Sequence, residues 1–175
     1  MACTPVTLSG IPLSCGTNFG GISKIYLTDI QNVSSVSISG DTTVSAITME
    51  AGTKFKEYSL RKNLSNFDET FNNDDTGAKF VDALVTAVFT KQDATTRSEI
   101  EKLVSAQLLG IVLDANGNYR LVGYSEGNLT SYLYASAVGT TGTAANDTNQ
   151  FTVTLTSQQA TFSYYLQSGV IDTVI

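Results

Sequence analysis

Residues 114–119 (DANGNY) carry an acid or an amide at every second position, the opening spacing of a calcium-binding loop. A loop of the EF-hand type also needs a Gly at its sixth position and a bidentate Glu at its twelfth, where this chain has Tyr119 and Ser125. The same letters contain Asn116-Gly117, a pair typical of a two-residue type I′ turn. The sequence therefore predicts a hairpin bend here, with no metal-binding residue.

Four further carboxylates lie close together, Asp68, Glu69, Asp74 and Asp75. Paired carboxylates could hold a metal or perform acid–base chemistry. Nothing else in the sequence supplies an oriented partner for them, and the surrounding segment is polar. A charge cluster on a polar turn is usually a solvated face, and this is the interpretation that we adopt.

The chain contains neither His nor Trp. Without His there can be no Ser-His-Asp or Cys-His site, and the commonest zinc ligand is missing. No G-x-S-x-G motif occurs, and no phosphate-binding loop precedes any Lys. We therefore predict that the protein is not an enzyme and has no catalytic, cofactor-binding or metal-binding residues.

Aromatic side chains offer a different chemistry, because a set of exposed Tyr rings can bind sugars. The candidates are Tyr132, Tyr134, Tyr164 and Tyr165. Aromatic residues at every second position of a strand more often pack in a core or across strands. A carbohydrate-binding or cell-surface-binding module stays an alternative, although the Trp that such platforms favour is absent.

Composition narrows the class of protein further. Of 175 residues, 42% are hydrophobic and 15% are charged, with a net charge of -6. An acidic chain without a basic run is a poor ligand for DNA phosphates. No apolar run is long enough to span a bilayer and no export signal is visible, so we expect no membrane anchor. Whether Cys3 and Cys15 form a disulfide is left open.

The elements that would position these residues are mostly strands. Residues 1–21 predict an extended N-terminal arm, and residues 22–175 a single domain. Strand patterns recur through that domain, with hairpins signalled at Gly40-Asp41 and Asn116-Gly117. In 79–90 the apolar residues alternate and form one face at period two: Val81, Ala83, Val85, Ala87 and Phe89. The segment 53–71 is too long for one average strand and predicts two strands or a bent ribbon. The predicted strand segments are 22–28, 33–39, 42–50, 53–71, 79–90, 109–114, 118–124, 128–138, 151–156 and 161–167.

One helix is predicted, over about 96–109. Thr96 and Glu99 have the spacing of a capping box, and Gly110 is a suitable stop. Apolar residues then recur at helical spacing from Ile100 to Leu108. The sequence thus predicts a mainly β fold, an antiparallel β-sandwich or barrel with one flanking α-helix.

The order of these elements resembles that of the tail tube (major tail) proteins of tailed bacteriophages, especially phages of Bacteroidetes. The likeness covers most of the chain. It rests on GGISKIYLTDI (20–30), AGTKFKEYSLRKNLSNFDETF (51–71), IVLDANGNYRLVGYSEG (111–127) and FTVTLTSQQATFSYYL (151–166).

The resemblance implies a virion structural protein, made in the host bacterial cytoplasm and incorporated into the tail. Six copies would close a ring around a continuous inner β-barrel, and rings would stack on each other and on other tail proteins. DNA would pass through the lumen during ejection without sequence-specific binding. The lumen wall is expected in 53–71 together with 79–90. Other β-sandwich virion proteins, in capsid decoration, a connector or a baseplate, are the near alternatives.

Overall fold

The computed structural model describes residues 9–13, 15–61, 63–73, 77–126 and 131–175, which form a two-sheet β-sandwich. The strands are β1 (Ile22–Asp29), β2 (Val33–Ser39), β3 (Thr43–Met49), β4 (Lys56–Ser59), β5 (Asn66–Asn73), β6 (Lys79–Thr90), β7 (Leu108–Asp114), β8 (Tyr119–Val122), β9 (Tyr134–Thr140), β10 (Gln150–Gln159) and β11 (Tyr164–Leu166). The helices are α1 (Ala94–Ser105) and α2 (Val170–Val174), with a 3₁₀ turn at Ile30–Asn32.

The strands form two sheets. One has seven strands in the order β2-β3-β11-β8-β7-β1-β4, and the other has four in the order β5-β6-β10-β9. All neighbours are antiparallel except β11 and β3. The predicted mainly β fold with a flanking helix is confirmed. Of the two architectures predicted, the described chain has the open sandwich, since neither sheet closes into a barrel.

The seven-stranded sheet is buried on both faces at its centre. Toward the other sheet, Ile25, Leu27 and Val112 belong to the main core. On the opposite face, Tyr26 and Ile111 belong to a second core that α2 covers. A strand buried on both faces has no reason to alternate, which explains the continuous apolar run of β7. The helix α2 was not predicted from the sequence.

The four-stranded sheet has one face in the core and one face outside. The period-two apolar face predicted for 79–90 is confirmed, because Val81, Ala83, Val85 and Ala87 are buried. They pair with the inward residues of β10, including Val153. The opposite side of the same strands is mostly polar or partly exposed, with the buried Val88 as an exception, so this sheet presents a single free face.

The helix boundaries and its cap differ from the prediction. Asp93, not Thr96, is the N-cap residue, and its carboxylate accepts a hydrogen bond from the Thr96 N–H at 2.8 Å. Glu99 is not part of a capping box, since its carboxylate accepts a hydrogen bond from the Tyr58 hydroxyl at 2.8 Å. Gly110 does not stop the helix but lies within β7. Sheet pairing of β7 with β1 begins at Leu108 and ends the helical segment early.

The segment 53–71 forms two strands, as one of the two interpretations predicts, but they belong to different sheets. β4 pairs with β1 and β5 pairs with β6. Between them Asn63 adopts a left-handed conformation with φ of 64°, which Asn tolerates better than most residues. Lys62 lies outside the described residues.

Candidate functional site

The DANGNY segment is the loop of the β7–β8 hairpin. The Asp114 N–H donates to the Asn118 carbonyl at 3.0 Å, and the Gly117 N–H donates back to the Asp114 carbonyl at 3.2 Å. Gly117, with φ of 88°, is the loop residue in the left-handed region, whereas a type I′ turn would place Asn116 there too. The predicted bend is therefore correct and the predicted turn type is wrong: three residues, 115–117, form the loop.

The polar side chains of this loop bind the protein's own backbone. Oδ1 of Asp114 accepts from the N–H groups of Asn116 and Asn118, at 2.8 and 2.9 Å. Burial raises the pKa of Asp114, but these hydrogen bonds and the nearby Arg120 charge outweigh burial and lower the pKa below its usual value. Tyr119 and Ser125, which replace the Gly and Glu of a calcium loop, lie in β8 and in a buried turn. Within the described chain, no three residues of the types His, Cys, Asp and Glu are grouped so that they could hold a metal ion.

Asn116 fixes the end of the N-terminal arm, a role that the sequence analysis missed. Its amide nitrogen donates to the side chain of Asn18 at 2.8 Å and to the carbonyl of Phe19 at 3.0 Å. Its amide oxygen accepts from the Phe19 N–H at 2.9 Å. All described residues before Ile22, including Cys15, are exposed and lack regular structure. Cys3 lies outside the described residues, so pairing of the two cysteines stays untested.

The acidic cluster is not a single solvated face. Glu69 points toward the seven-stranded sheet, where one carboxylate oxygen accepts from both N–H and hydroxyl of Ser163 at 2.6 Å. Its other oxygen lies 3.5 Å from Nη1 of Arg120. Asp68 points outward, and Asp74 and Asp75 lie outside the described residues. Glu69 therefore connects the two sheets, contrary to the solvated interpretation.

The four Tyr residues do not share one surface. Tyr134, the first residue of β9, is exposed and contacts the half-buried Tyr132, with ring centroids 4.8 Å apart. Tyr164 is buried in the second core. Tyr165 packs on the Arg120 guanidinium, 4.8 Å from its ring centroid. A platform made of all four rings is thus excluded.

The outward face of the four-stranded sheet is a regular surface of side chains from four neighbouring strands. Strand pleating and the registers of the three strand pairs define its members. They are Asn66, Asp68, Thr70 and Asn72 of β5; Phe80, Asp82, Leu84, Thr86, Val88 and Thr90 of β6; Gln150, Thr152, Thr154, Thr156 and Gln158 of β10; and Tyr134, Ser136, Val138 and Thr140 of β9.

Charge on this outward face has one sign. Its charged members are Asp68 and Asp82, and the remainder are mostly Thr, Asn, Gln and Ser. Asp82 is fixed in place across three strands, since it accepts from the amides of Asn72 at 2.6 Å and Gln158 at 3.1 Å. The face is therefore mostly polar and weakly acidic, although the exposed side chains of Leu84, Tyr134 and Val138 also belong to it.

Both edges of this sheet are open in the described part of the chain. β5 and β9 are of nearly equal length, eight and seven residues, and each pairs on one side only. β9 (YASAVGT) contains no charge and no Pro, which are the usual devices that keep edge strands from pairing. Since the three pairs are antiparallel, β5 and β9 run in opposite directions.

The sheet is also strongly staggered. β5 lies level with residues 79–86 of β6, whereas β9 lies level with residues 84–90. The strand centres are thus displaced by about 4.5 residues, or ~15 Å along the strands, over three strand spacings of ~14 Å in total. A line that joins the centres of the four strands therefore makes an angle of roughly 45° with the perpendicular to the strands. This angle is close to the tilt of the strands in closed barrels.

Comparison of the chain with models of protein families, with curated proteins and with solved structures gives no match. Neither helix of the described chain has the length and apolar character needed to cross a membrane.

Proposed function

We propose that the protein is a bacteriophage tail tube subunit, a virion structural protein whose copies close into rings by joining their four-stranded sheets edge to edge. The observation that carries the proposal is the pair of open edges, β5 and β9. Because they run in opposite directions, β9 of one copy and β5 of the next would meet antiparallel. Every strand of a closed ring would then have two antiparallel neighbours, and no edge would remain.

The stagger of the sheet supports the same arrangement. Closing a sheet into a barrel requires strands tilted against the barrel axis, and the tilt follows from the displacement between neighbours. If the copies of a ring are related only by rotation about the barrel axis, the displacement between neighbouring strands must already be present within each subunit. The angle of ~45° found in this sheet has the size that is typical of closed barrels. Six copies, the number that the resemblance implies, would each contribute four strands.

The outward face would line the lumen, because the other face is occupied by the core. Asp68 and Asp82 would then repeat around the channel with no opposing Lys or Arg from this face. Like charge keeps a DNA duplex from adhering to the wall, since binding requires cations to neutralise phosphates. The predicted lumen segments, 53–71 and 79–90, would contribute through β5 and β6, with β9 and β10 added and β4 left out.

The N-terminal arm would connect one ring to the next. Ile11 and Leu13 are 99% and 92% exposed, so the arm presents apolar side chains that its own domain does not cover. Asn116 holds the arm's base at Asn18 and Phe19, and the exposed Ile11 and Leu13 would contact another copy. In this proposal the protein is made in the host cytoplasm and resides in the virion tail.

Negative-stain microscopy and light scattering of the purified chain test the proposal. We expect rings with six-fold symmetry, alone or stacked into tubes. Removing residues 1–21 should abolish stacking while rings persist. A chain that stays monomeric at high concentration, with and without its arm, would contradict the proposal.

Two consecutive proline substitutions in β9, Ala137→Pro and Val138→Pro, form a matched test of the edge. Neighbouring residues of a strand direct their N–H groups to opposite sides, so one substitution removes a bond to β10 and the other removes an edge group. The variant that keeps the monomer's melting temperature is the edge variant, and we expect it to form no rings. Ring formation by that variant would mean that β9 is not the joining edge.

A further inference from the structure

An uncovered aromatic pair lies at the β5 edge of the four-stranded sheet. Phe71 and Phe162 are 47% and 52% exposed, and their ring centroids are 5.7 Å apart. Phe71 belongs to the inward series of β5, with Phe67 and Glu69, yet it lies beyond the core. Two adjacent exposed Phe rings are an unusual surface for a single chain, and such patches mark contact sites.

A groove of mixed character lies at the opposite edge of the same sheet, between α1 and β9, around a volume of about 770 Å³. Its apolar lining comes from Ile100 and Val104 of α1 and from Ala137 and Phe151, and charged side chains, including Arg97 and Glu101, also line it. The inward residues of β9 are Ala135, Ala137 and Gly139, all small. This edge therefore has room for a large side chain on the core side of the sheet.

We infer that, in the proposed ring, the Phe71–Phe162 pair of each copy fills the α1–β9 groove of the next copy. The inference rests on the proposed function and specifies the side chains of its interface. In a continuous sheet, inward residues of β5 and β9 lie on the same side, so edge pairing brings Phe71 to the side where α1 lies.

The stagger of the strands determines which residues of β5 and β9 would lie opposite each other between two copies. Three steps across the sheet shift the strand centres by about 4.5 residues, so each step shifts them by about 1.5. An equal fourth step, from β9 to the next copy's β5, places Phe71 opposite Ala137 and Asn73 opposite Ala135. A shift of the β9–β5 pairing by one residue would turn the Phe71 side chain into the lumen. The contact of Phe71 with the groove therefore requires this register of the two strands.

The contact is heterologous, because its two halves lie on opposite edges of one chain. Such a contact repeats head to tail and either closes a ring or grows a filament. A large aromatic side chain that fills a pocket on its partner is the usual form of an interface hot spot. In this interface the hydrogen bonds between the strand edges would fix the orientation of neighbouring copies, and the aromatic pair would contribute buried apolar surface.

Disulfide cross-linking tests the register without altering Phe71. In a background with Cys3→Ser and Cys15→Ser, the variant Asn73→Cys with Ala135→Cys should give a ladder of covalent multimers on a non-reducing gel. Directly opposed residues of antiparallel strands have Cα atoms about 4.5–5.5 Å apart, within disulfide range. The control, Asn72→Cys with Ala135→Cys, places the thiols on opposite faces and should give no ladder.

A substitution tests the aromatic contact separately. Phe71→Ala should raise the concentration needed for ring assembly ~tenfold or more, the effect of losing a hot-spot side chain. Phe19→Ala, an equally drastic change in the exposed arm, should leave ring assembly unchanged. Rings that form without a ladder, or that tolerate Phe71→Ala, would overturn this inference and leave the proposed function intact. Absence of rings from the wild-type chain would overturn the proposed function and this inference with it.

Discussion

Replacing Glu69 by Ala removes the polar connection between the two sheets. The Glu69 side chain is 9% exposed, and one of its oxygens accepts two hydrogen bonds of 2.6 Å from Ser163. Its other oxygen lies 3.5 Å from Arg120, which has one further carboxylate, Asp114, at 3.9 Å. Without Glu69, the Ser163 N–H would lose its acceptor, and the partly buried Arg120 would keep only its longer contact with Asp114.

The expected loss follows from those contacts. A hydrogen bond to a charged group contributes about 1.5–3 kcal/mol, and removing one partner of a buried ion pair costs about 3–5 kcal/mol. Because Arg120 is partly exposed, we expect a loss near the lower limit, about 3 kcal/mol in the free energy of unfolding. For a chain of this size that corresponds to a melting temperature lower by ~6–12 °C.

Urea unfolding measures this loss, at a protein concentration where the chain is monomeric so that assembly adds no stability. Glu69→Gln keeps an acceptor for Ser163 and should cost only about 1–2 kcal/mol. Glu101→Ala is the matched control, since that carboxylate is 67% exposed and pairs only with Arg97 on α1. Its effect should stay within about 0.5 kcal/mol. If Glu69→Ala costs no more than the control, the two sheets are held by apolar packing alone.

Three further comparisons of variants test the local interpretation of the fold. Asp93→Ala should lower the melting temperature more than Thr96→Ala, because Asp93 caps α1. A larger loss with Thr96→Ala would indicate that Thr96 is the capping residue. Burial of the side chain, together with the negative charge of the neighbouring Glu57 carboxylate, raises the pKa of Tyr26 from 10.0 to about 12. The fold favours the neutral phenol, so this stabilisation is complete below pH 10 and is lost as pH rises toward 12. Stability curves over that range should fall less steeply for Tyr26→Phe, and parallel curves would contradict the assignment. Gly117 and Gly123 both have positive φ, but an added Cβ meets nothing within 4 Å at Gly117 and lies 2.9 Å from a core side chain at Gly123. Gly117→Ala should cost about 1 kcal/mol and Gly123→Ala at least ~2 kcal/mol more in urea unfolding, whereas equal losses would refute the crowding.

Features set by near neighbours could be predicted from the sequence. The β2–β3 hairpin, the bend at Asn116-Gly117 and the inward face of β6 all follow from turn chemistry and period-two alternation. The type of the bend could not be predicted, because Asp114 organises a three-residue loop through hydrogen bonds that compete with the two-residue turn. Likewise Asp93 precedes Thr96 by three residues and caps the helix first.

Features set by distant partners could not be predicted. β4 and β5 are neighbours in the chain, yet each joins a different sheet. The short strand β11 enters between β3 and β8, and α2 closes the second core behind it. The signals for these choices are burial and pairing across many residues, which a local pattern does not contain.

The sequence by itself determined that this chain is a β protein with alternating faces, one helix of moderate length, a polar acidic character and no histidine-based chemistry. Those properties belong to residue types and their spacing. Only the tertiary structure decided that Glu69 joins the sheets, that Asp68 and Asp82 share an outward face, and that β5 and β9 are left as open edges. The physical reason is that a side chain's environment, and the number of neighbours a strand has, depend on which distant segments pair beside it.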